Sequence, residues 1–178
     1  MTDLSRVVSH ALRHEPWLYE LEPDEAGWVS VQSLVEALRL ERNWSLLTVA
    51  DVEAMVVGAS KQRHEIRGGR IRALYGHSLP IRIVQVLAPP PAVLFHGTSL
   101  AAAAAIQVDK LRPMGRQFVH LSVDRETARA VGARKVPKPV ILAVAAQEAA
   151  AAGVAFFVGN EKVWLANSVP SRFIEVEQ

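Results

Sequence analysis

Three consecutive prolines, Pro89-Pro90-Pro91, constrain the fold of this chain more than any other feature. Proline fixes φ at about −65° and has no N–H, so such a run cannot lie inside a helix or a central strand. The run therefore predicts a boundary. We divide the chain into a first lobe of residues 1–87, a proline-rich linker at residues 88–92 and a second lobe of residues 93–178.

Length and composition fit two small lobes with cores of their own. The chain has 178 residues, of which 50% are hydrophobic. We therefore expect a folded chain and not a disordered one. It has no cysteine, which excludes disulfides, thiolate zinc sites and cysteine nucleophiles. The N-terminus lacks the apolar core of a signal peptide, and no apolar run reaches the length of about 18 residues that a membrane span needs. We therefore expect a cytoplasmic protein with no membrane partner.

Basic residues are concentrated in two islands, although the net charge is only +2. Residues 61–82 contain six basic side chains and one acidic side chain, and residues 110–138 contain eight basic and two acidic. Such islands favour an anionic partner. Either island alone could also be an ordinary solvated face.

The first lobe has the pattern of three helices followed by a hairpin. Apolar residues from Leu4 to Leu12 have helical spacing, and Pro16 prevents the helix from continuing. Ser30 and Thr48 are suited to cap two further helices, and Gly68-Gly69 separates two short basic strands. This order predicts a winged-helix arrangement, which many nucleic-acid-binding proteins use. Arg13 and His14 fall in the last turn of the first helix, where a favourable interaction with the helix dipole would also explain them.

The second lobe is predicted to be a mixed α+β sandwich. Its first strand, Ala92 to Phe95, ends in His96-Gly97-Thr98, after which Ser99 opens an alanine-rich helix. His96 and His120 each accompany an apolar strand, and each alone fits a buried, hydrogen-bonded histidine as well as a ligand. We find no metal-ligand spacing, glycine-rich dinucleotide motif or P-loop, so we expect no metal.

The short motifs of both lobes follow one another in a characteristic order. They are Arg13-His14-Glu15-Pro16, Gly27-Trp28-Val29, Ile71-Arg72-Ala73, Gly76-His77-Ser78, His96-Gly97-Thr98, Met114-Gly115-Arg116, Val119-His120-Leu121-Ser122, Val131-Gly132-Ala133-Arg134, Val163-Trp164-Leu165 and Val169-Pro170. This succession runs from about Leu4 to Ile174 and resembles the NAD-dependent RNA 2′-phosphotransferase family, transferases that complete tRNA splicing in fungi. The order of the motifs carries the resemblance, because any one of them occurs often by chance.

The resemblance implies an α+β fold with an N-terminal winged-helix-like lobe for the RNA phosphate and a C-terminal ADP-ribosyltransferase-like mixed β lobe for NAD. It implies that an internal RNA 2′-phosphate attacks NAD and expels nicotinamide, which gives a 2′-phospho-ADP-ribosylated RNA. The ribose 2″-hydroxyl then attacks the phosphate, releasing RNA with a 2′-hydroxyl and ADP-ribose 1″,2″-cyclic phosphate. The expected partner is a tRNA-like RNA bearing a 2′-phosphate, and we expect the protein to be a monomer.

The family pattern also assigns the site residues. The catalytic set is Arg13, His14, Arg72 and Arg134, so both lobes would contribute to the reaction. The residues matched to NAD binding are His96, Gly97, Thr98, Arg116, His120 and Ser122. His77 and Ser78 are matched to the RNA phosphate.

Two departures from the family pattern leave other functions open. Tyr75 stands where the family usually has glutamine, and the segment Lys135-Val136-Pro137-Lys138-Pro139 after Arg134 is one residue longer than usual. An ADP-ribosyltransferase that caps terminal phosphates of RNA or DNA would use the same residues and stop after the first step. A winged-helix nucleic-acid-binding protein without catalysis is the alternative from another class.

Overall fold

The computed structural model describes residues 3–74, 86–114, 116–159 and 161–177. The chain divides into two compact units, Met1–Ile83 and Val84–Gln178. This division falls before the proline run, whereas the sequence placed the end of the first lobe at Leu87. The difference arises because Val86–Leu87 is a strand that pairs with Val158 and Phe157 of the second unit.

The first unit contains three α-helices and three short strands in its described residues. These are α1 (Asp3–Arg13), β1 (Val29–Ser30), α2 (Val31–Arg39), α3 (Val49–Val57), β2 (His64–Arg67) and β3 (Arg70–Ala73), with a 3-10 turn at Arg42–Trp44. The strands form an antiparallel sheet in the order β1-β3-β2. The three helices and the hairpin predicted from the sequence are thus confirmed as elements.

Local sequence signals explain where these elements begin and turn. The Ser30 hydroxyl accepts a bond from the Ser33 amide at the start of α2. Thr48 and Asp51 form a reciprocal capping box at the start of α3, which satisfies amides that would otherwise lack partners. Gly68 and Gly69 both have positive φ, 56° and 71°, as the tight turn between β2 and β3 requires.

The second unit is built on one large sheet. Its elements are β4 (Val86–Leu87), β5 (Leu94–Thr98), α4 (Leu100–Val108), β6 (Lys110–Leu111), β7 (Val119–Ser122), α5 (Arg125–Ala133), β8 (Val140–Val144), α6 (Ala146–Ala151), β9 (Phe156–Val158), β10 (Val163–Ala166), β11 (Val169–Pro170) and β12 (Ile174–Val176). Seven strands form an antiparallel sheet in the order β12-β8-β5-β7-β10-β9-β4, and β6 pairs with β11. The described chain is therefore of the mixed α/β type, with six α-helices.

Helices cover both faces of the large sheet. Leu94, Leu121 and Leu142 belong to one core cluster, to which α4 and α6 contribute alanines. Phe95 and Ile141 project to the opposite face, where they pack with Ala128 of α5. Because neighbours in a strand point to opposite faces, each strand residue can be assigned to the α4 face or to the α5 face.

The strand predicted from Ala92 begins at Leu94 in the structure. His96, Gly97 and Thr98 form the end of this strand, β5, where Gly97 pairs with Ile141 and Thr98 with Val140. Glu20, the residue after Tyr19, is a buried acid at 7% exposure with φ of 51°. No helix in the described ranges is long and apolar enough to cross a membrane.

Candidate active site

Arg13 of the first unit is held at the end of the β2–β3 hairpin. Its Nη2 donates a hydrogen bond to the main-chain oxygen of Arg63, 3.1 Å away. The same oxygen accepts the amide of Leu74, the residue that follows β3. The Arg13 side chain therefore reaches a different element of the unit, which an interaction with its own helix dipole does not explain.

His14 follows α1 directly and is half-buried. Its amide donates to the carbonyl of His10, 3.1 Å away, and the two imidazole rings lie with their centroids 6.0 Å apart. The ring of His10 is in turn bonded to the hydroxyl of Tyr19. The end of α1 thus carries a guanidinium and an imidazole on consecutive residues, Arg13 and His14.

Arg72 lies on β3 with its guanidinium between an acid and an aromatic ring. Its Nε and Nη2 donate to the same carboxylate oxygen of Glu65, at 3.0 and 2.8 Å. Its Cζ is 4.6 Å from the ring centroid of Trp28, a cation–π distance. Arg72 and Glu65 are paired residues of the β3–β2 ladder, so they share the face of the sheet opposite the buried Ile71.

His64 is a buried polar residue that the sequence did not single out. It is 3% exposed, and its Nε2 lies 3.1 Å from the hydroxyl of Ser9 on α1. Burial, together with the smaller effect of the charges of Arg13 and Arg63, lowers the pKa of His64 from 6.5 to about 4. His64 and the apolar Ile66 are two residues apart in β2 and therefore point to the same face of the strand. This spacing was the signal that could have placed His64 in the core.

His96 of the second unit lies where β5 and β7 separate. Their ladder consists of one pair, Phe95 with Ser122, in strands that are fully described. Continued in register, it would bring Gly97 opposite His120. Instead, the ring of His96 lies with Nδ1 3.0 Å from the main-chain oxygen of His120. The His96 side chain thus forms a hydrogen bond with the carbonyl of His120 beyond the end of the ladder, and this contact fixes the orientation of the ring.

The other polar strand residues of this unit do not all lie on one face. His96 pairs with Leu142 and therefore lies on the α4 face with Thr98. Ser122 pairs with Phe95 and lies with His120 on the α5 face. All four side chains are no more than 6% exposed. The structure thus groups His96 with Thr98 and separates them from the side chains of His120 and Ser122.

Arg134 is placed by an unusually close contact between α5 and β5. A Cβ on Gly97 would overlap the main-chain oxygen of Ala128, and a Cβ on Gly132 would lie 3.0 Å from the carbonyl carbon of Gly97. Arg134 is the C-cap of α5, two residues after Gly132, and its amide bonds back to the Gly132 carbonyl. The helix end that carries Arg134 therefore lies against the His-Gly-Thr strand.

The longer segment after Arg134 folds back onto the same glycine. The amides of Lys135 and Val136 both donate to the Gly132 carbonyl, at 2.9 and 3.1 Å. A Cβ on Gly132 would also lie 2.7 Å from Cβ of Pro139. The main chain of Arg134 is thus fixed before the extra residue of the loop is reached.

Three of the predicted site residues have less structural description. Arg116 is half-buried just before β7, and its amide bonds to the carbonyl of Pro113. His77 and Ser78 lie outside the described residues. Among the residues that are described, no group of three or more His, Asp or Glu side chains could hold a metal ion.

Comparison with known proteins identifies the family. Residues 1–168 match the model of the family described as RNA 2′-phosphotransferase, Tpt1 / KptA family. A protein of Bacillus thuringiensis subsp. konkukian is 49% identical over 99% of this chain and 96% of its own length. One of Acetivibrio thermocellus is 47% identical over 98% and 96%, and one of Streptomyces coelicolor is 41% identical over 96% and 92%. Each of the three is named "Probable RNA 2′-phosphotransferase". On a match that covers nearly its whole length, this chain belongs to the RNA 2′-phosphotransferase family.

Proposed function

We propose that this protein transfers an internal RNA 2′-phosphate to NAD. The observation that carries the proposal is the match to the RNA 2′-phosphotransferase family over residues 1–168, which includes every site residue named above. We further propose that the first unit is winged-helix-like and the second ADP-ribosyltransferase-like. The helix–strand order of the first and the antiparallel sheet of the second support this assignment.

In the first step, an oxygen of the 2′-phosphate attacks the nicotinamide-ribose C1″ of NAD, and the bond from C1″ to the nicotinamide nitrogen breaks. Nicotinamide leaves as a neutral molecule, so this step needs position more than acid catalysis. Guanidinium groups suit the task because their planar fork holds two phosphate oxygens at once. We assign it to Arg13 and Arg72 of the first unit and Arg134 of the second.

In the second step, the ribose 2″-hydroxyl attacks the phosphorus and gives up its proton, and the RNA 2′-oxygen leaves and takes a proton. Charge develops on the phosphoryl oxygens, where the three arginines stabilise it. His14 is suited to move a proton in this step, because an imidazole ring has one nitrogen that can donate a proton and one that can accept it. The products are RNA with a 2′-hydroxyl and ADP-ribose 1″,2″-cyclic phosphate.

The donor and acceptor groups around His96 fit the nicotinamide end of NAD. A histidine ring, the Thr98 hydroxyl and the main chain of Gly97 can bond ribose hydroxyls and a carboxamide. The main-chain oxygen of His120 holds the ring of His96, so His120 would act through its backbone. Arg116, Ser122, His77 and Ser78 remain predicted binding residues, the first two for NAD and the last two for RNA phosphate.

The test is to incubate the protein with NAD and an oligonucleotide that carries one internal 2′-phosphate. We expect release of nicotinamide, a 2′-hydroxyl product and ADP-ribose 1″,2″-cyclic phosphate. The matched control is the same strand with a 5′-terminal phosphate and no 2′-phosphate. A stable ADP-ribosylated strand from the control, with no 2′-dephosphorylation of the first substrate, would identify a capping ADP-ribosyltransferase. RNA binding without any consumption of NAD would reject both enzymes.

A further inference from the structure

Trp28 and Glu65 hold Arg72 from two directions but have no role in the proposed reaction. Glu65 accepts from the Nε–Nη2 edge of the guanidinium, and Cζ lies over the ring of Trp28, 4.6 Å from its centroid. Both Arg72 and Glu65 have side chains that are 33% exposed. The Nη1 atom of Arg72 has no hydrogen-bond partner in the part of the chain that is described. A carboxylate thus holds one edge of the guanidinium and an aromatic ring packs against it, while Nη1 points away from Glu65.

A carboxylate next to a phosphate-binding arginine requires an explanation. Its charge opposes that of an approaching phosphate, and an exposed ion pair contributes little to stability. Holding a long, flexible side chain in one orientation is a benefit that can outweigh this repulsion, because a misplaced catalytic group loses much of its effect. The ladder position supports this reading, since Glu65 stands directly opposite Arg72 on the neighbouring strand.

We propose that Glu65 and Trp28 are positioning residues for Arg72 and that they orient its guanidinium toward the RNA 2′-phosphate. The inference rests on the proposed function for the role of Arg72, but the orientation itself can be measured without any reaction. Glu65 holds the Nε–Nη2 edge of the guanidinium through two hydrogen bonds, and the ring of Trp28 packs against its Cζ. The phosphate then meets an arginine that has already lost its rotational freedom.

The orientation is tested by NMR on the free protein. In the wild type, we expect the Arg72 Nε–H resonance to be shifted by the ring current of Trp28 and protected from exchange by Glu65. Trp28→Leu should remove the ring-current shift, and Glu65→Ala should speed the exchange. An Arg72 resonance that is unchanged in both variants would overturn the proposed positioning of Arg72 by Glu65 and Trp28, independently of the catalytic activity.

The functional consequence is tested by single-turnover kinetics with NAD and the 2′-phosphorylated oligonucleotide. We expect Glu65→Ala to slow conversion of the ADP-ribosylated intermediate by about 10- to 100-fold, with the KM for RNA changed much less. Glu65→Gln, which can still accept a hydrogen bond, should recover part of the rate. In an Arg72→Ala background, the same Glu65→Ala change should alter the rate by less than about 2-fold, because a positioning residue has no effect once its target is absent.

Asp24→Asn is the control, because Asp24 Oδ2 pairs with Nη1 of Arg70, 2.9 Å away and on the same strand as Arg72. Asparagine removes the charge but keeps the Oδ1 that accepts the main-chain amide of Trp28. Asp24→Asn should leave the rate of the second step near the wild-type value. Tighter RNA binding and unchanged turnover in Glu65→Ala would show that Glu65 only repels phosphate, and would overturn the proposal. If Glu65→Ala lowers the rate equally with and without Arg72, Glu65 has a general structural role, and this result would also overturn the proposal. If the wild type has no turnover, or if Arg72→Ala keeps full turnover, the proposed function is wrong, whereas the orientation of Arg72 measured by NMR is unaffected.

Discussion

Three consecutive residues, Arg63, His64 and Glu65, connect three parts of the first unit. The Arg63 carbonyl receives Arg13 from α1, and Glu65 receives Arg72 from β3. Between them, His64 turns inward to Ser9. Sequence composition counts this stretch as part of a basic island, which favours an anionic partner. The side-chain contacts show a second role, because both predicted phosphate-binding arginines of this unit are anchored to it.

His64 should make the stability of the protein depend on pH. Its pKa is lowered from 6.5 to about 4 by burial and by Arg13 and Arg63, so the folded state keeps it neutral while the unfolded chain takes up a proton below pH 6.5. Stability is therefore lost as the pH falls from 6.5 toward 4, by about 3 kcal/mol at most from this one group. Urea unfolding at pH 7 and at pH 4.5 measures the loss.

Carboxylates also titrate in this range, so the prediction concerns the difference between wild type and a His64 variant. His64→Gln can keep a hydrogen bond to Ser9 without taking up a proton, and His64→Phe removes both the bond and the titration. Both variants should lose less stability than wild type between the two pH values. Equal losses in all three proteins would contradict the assignment of the pH dependence to His64.

At the scale of elements, α5 and β5 form the closest helix–strand contact that the site depends on. Gly97 and Gly132 meet backbone to backbone, and no larger residue fits at Gly97. The sequence suggested a ligand-binding role for the main chain of Gly97. The structure adds a packing role, because the absence of a side chain at Gly97 lets α5, the helix that carries Arg134, lie directly against β5.

Substitution of these glycines should damage the second unit to different degrees. A Cβ at Gly97 would overlap the carbonyl of Ala128, so we expect Gly97→Ala to cost about 3 kcal/mol. At Gly132 the closest atom to an added Cβ is Cβ of Pro139 at 2.7 Å, a milder overlap than the 1.9 Å at Gly97, and we expect a cost of about 2 kcal/mol. Folded Gly132→Ala protein should also turn over more slowly, because its strain lies two residues before Arg134.

Urea unfolding followed by circular dichroism ranks the two variants against a control. Gly58→Ala is suitable, because Gly58 has a helical backbone and its Cβ would lie 3.1 Å from the Ala54 carbonyl; we expect its stability within about 0.5 kcal/mol of wild type. Gly97→Ala with the stability of wild type would mean that α5 and β5 are not in the close contact described.

The sequence predicted most of the elements because their signals are local. Capping residues, helical spacing and the Gly68-Gly69 turn all depend on neighbours in the chain, and each is found. The start of β5 was wrong, at Ala92 instead of Leu94, because it depends on pairing with β8, more than 40 residues away along the chain. The separation of His96 from the His120 side chain has the same origin, since strand register decides the face.

At the scale of the whole molecule, the predicted family is confirmed and the site residues remain predictions. The order of short motifs was sufficient for the family, because order survives even where single positions such as Tyr75 differ. The contacts of Arg72 with Glu65 and Trp28 could not be predicted, because they join three segments through side-chain geometry. The assignment of Arg72 to one unit and Arg134 to the other leads to a test of the intact chain.

Arg72→Ala and Arg134→Ala proteins should not complement each other when mixed. Each variant is expected to lose turnover by about 100-fold or more, the usual effect of removing one group that stabilises developing charge. If one monomer supplies both arginines, an equimolar mixture of the variants stays as inactive as its components, measured by nicotinamide release and by the 2′-hydroxyl product.

A pair of chains that exchanged their units would behave differently, because a mixed pair regains one complete set of arginines. About a quarter of all sites would then be restored in the mixture. An equimolar mixture of wild type with either variant provides the reference, because half of its sites carry both arginines. Restoration to the level of a quarter would contradict the expected monomer while leaving both arginines in the reaction, whereas full activity of either single variant would remove that arginine from it. The mixing experiment therefore separates the question of which residues act from the question of how many chains supply them.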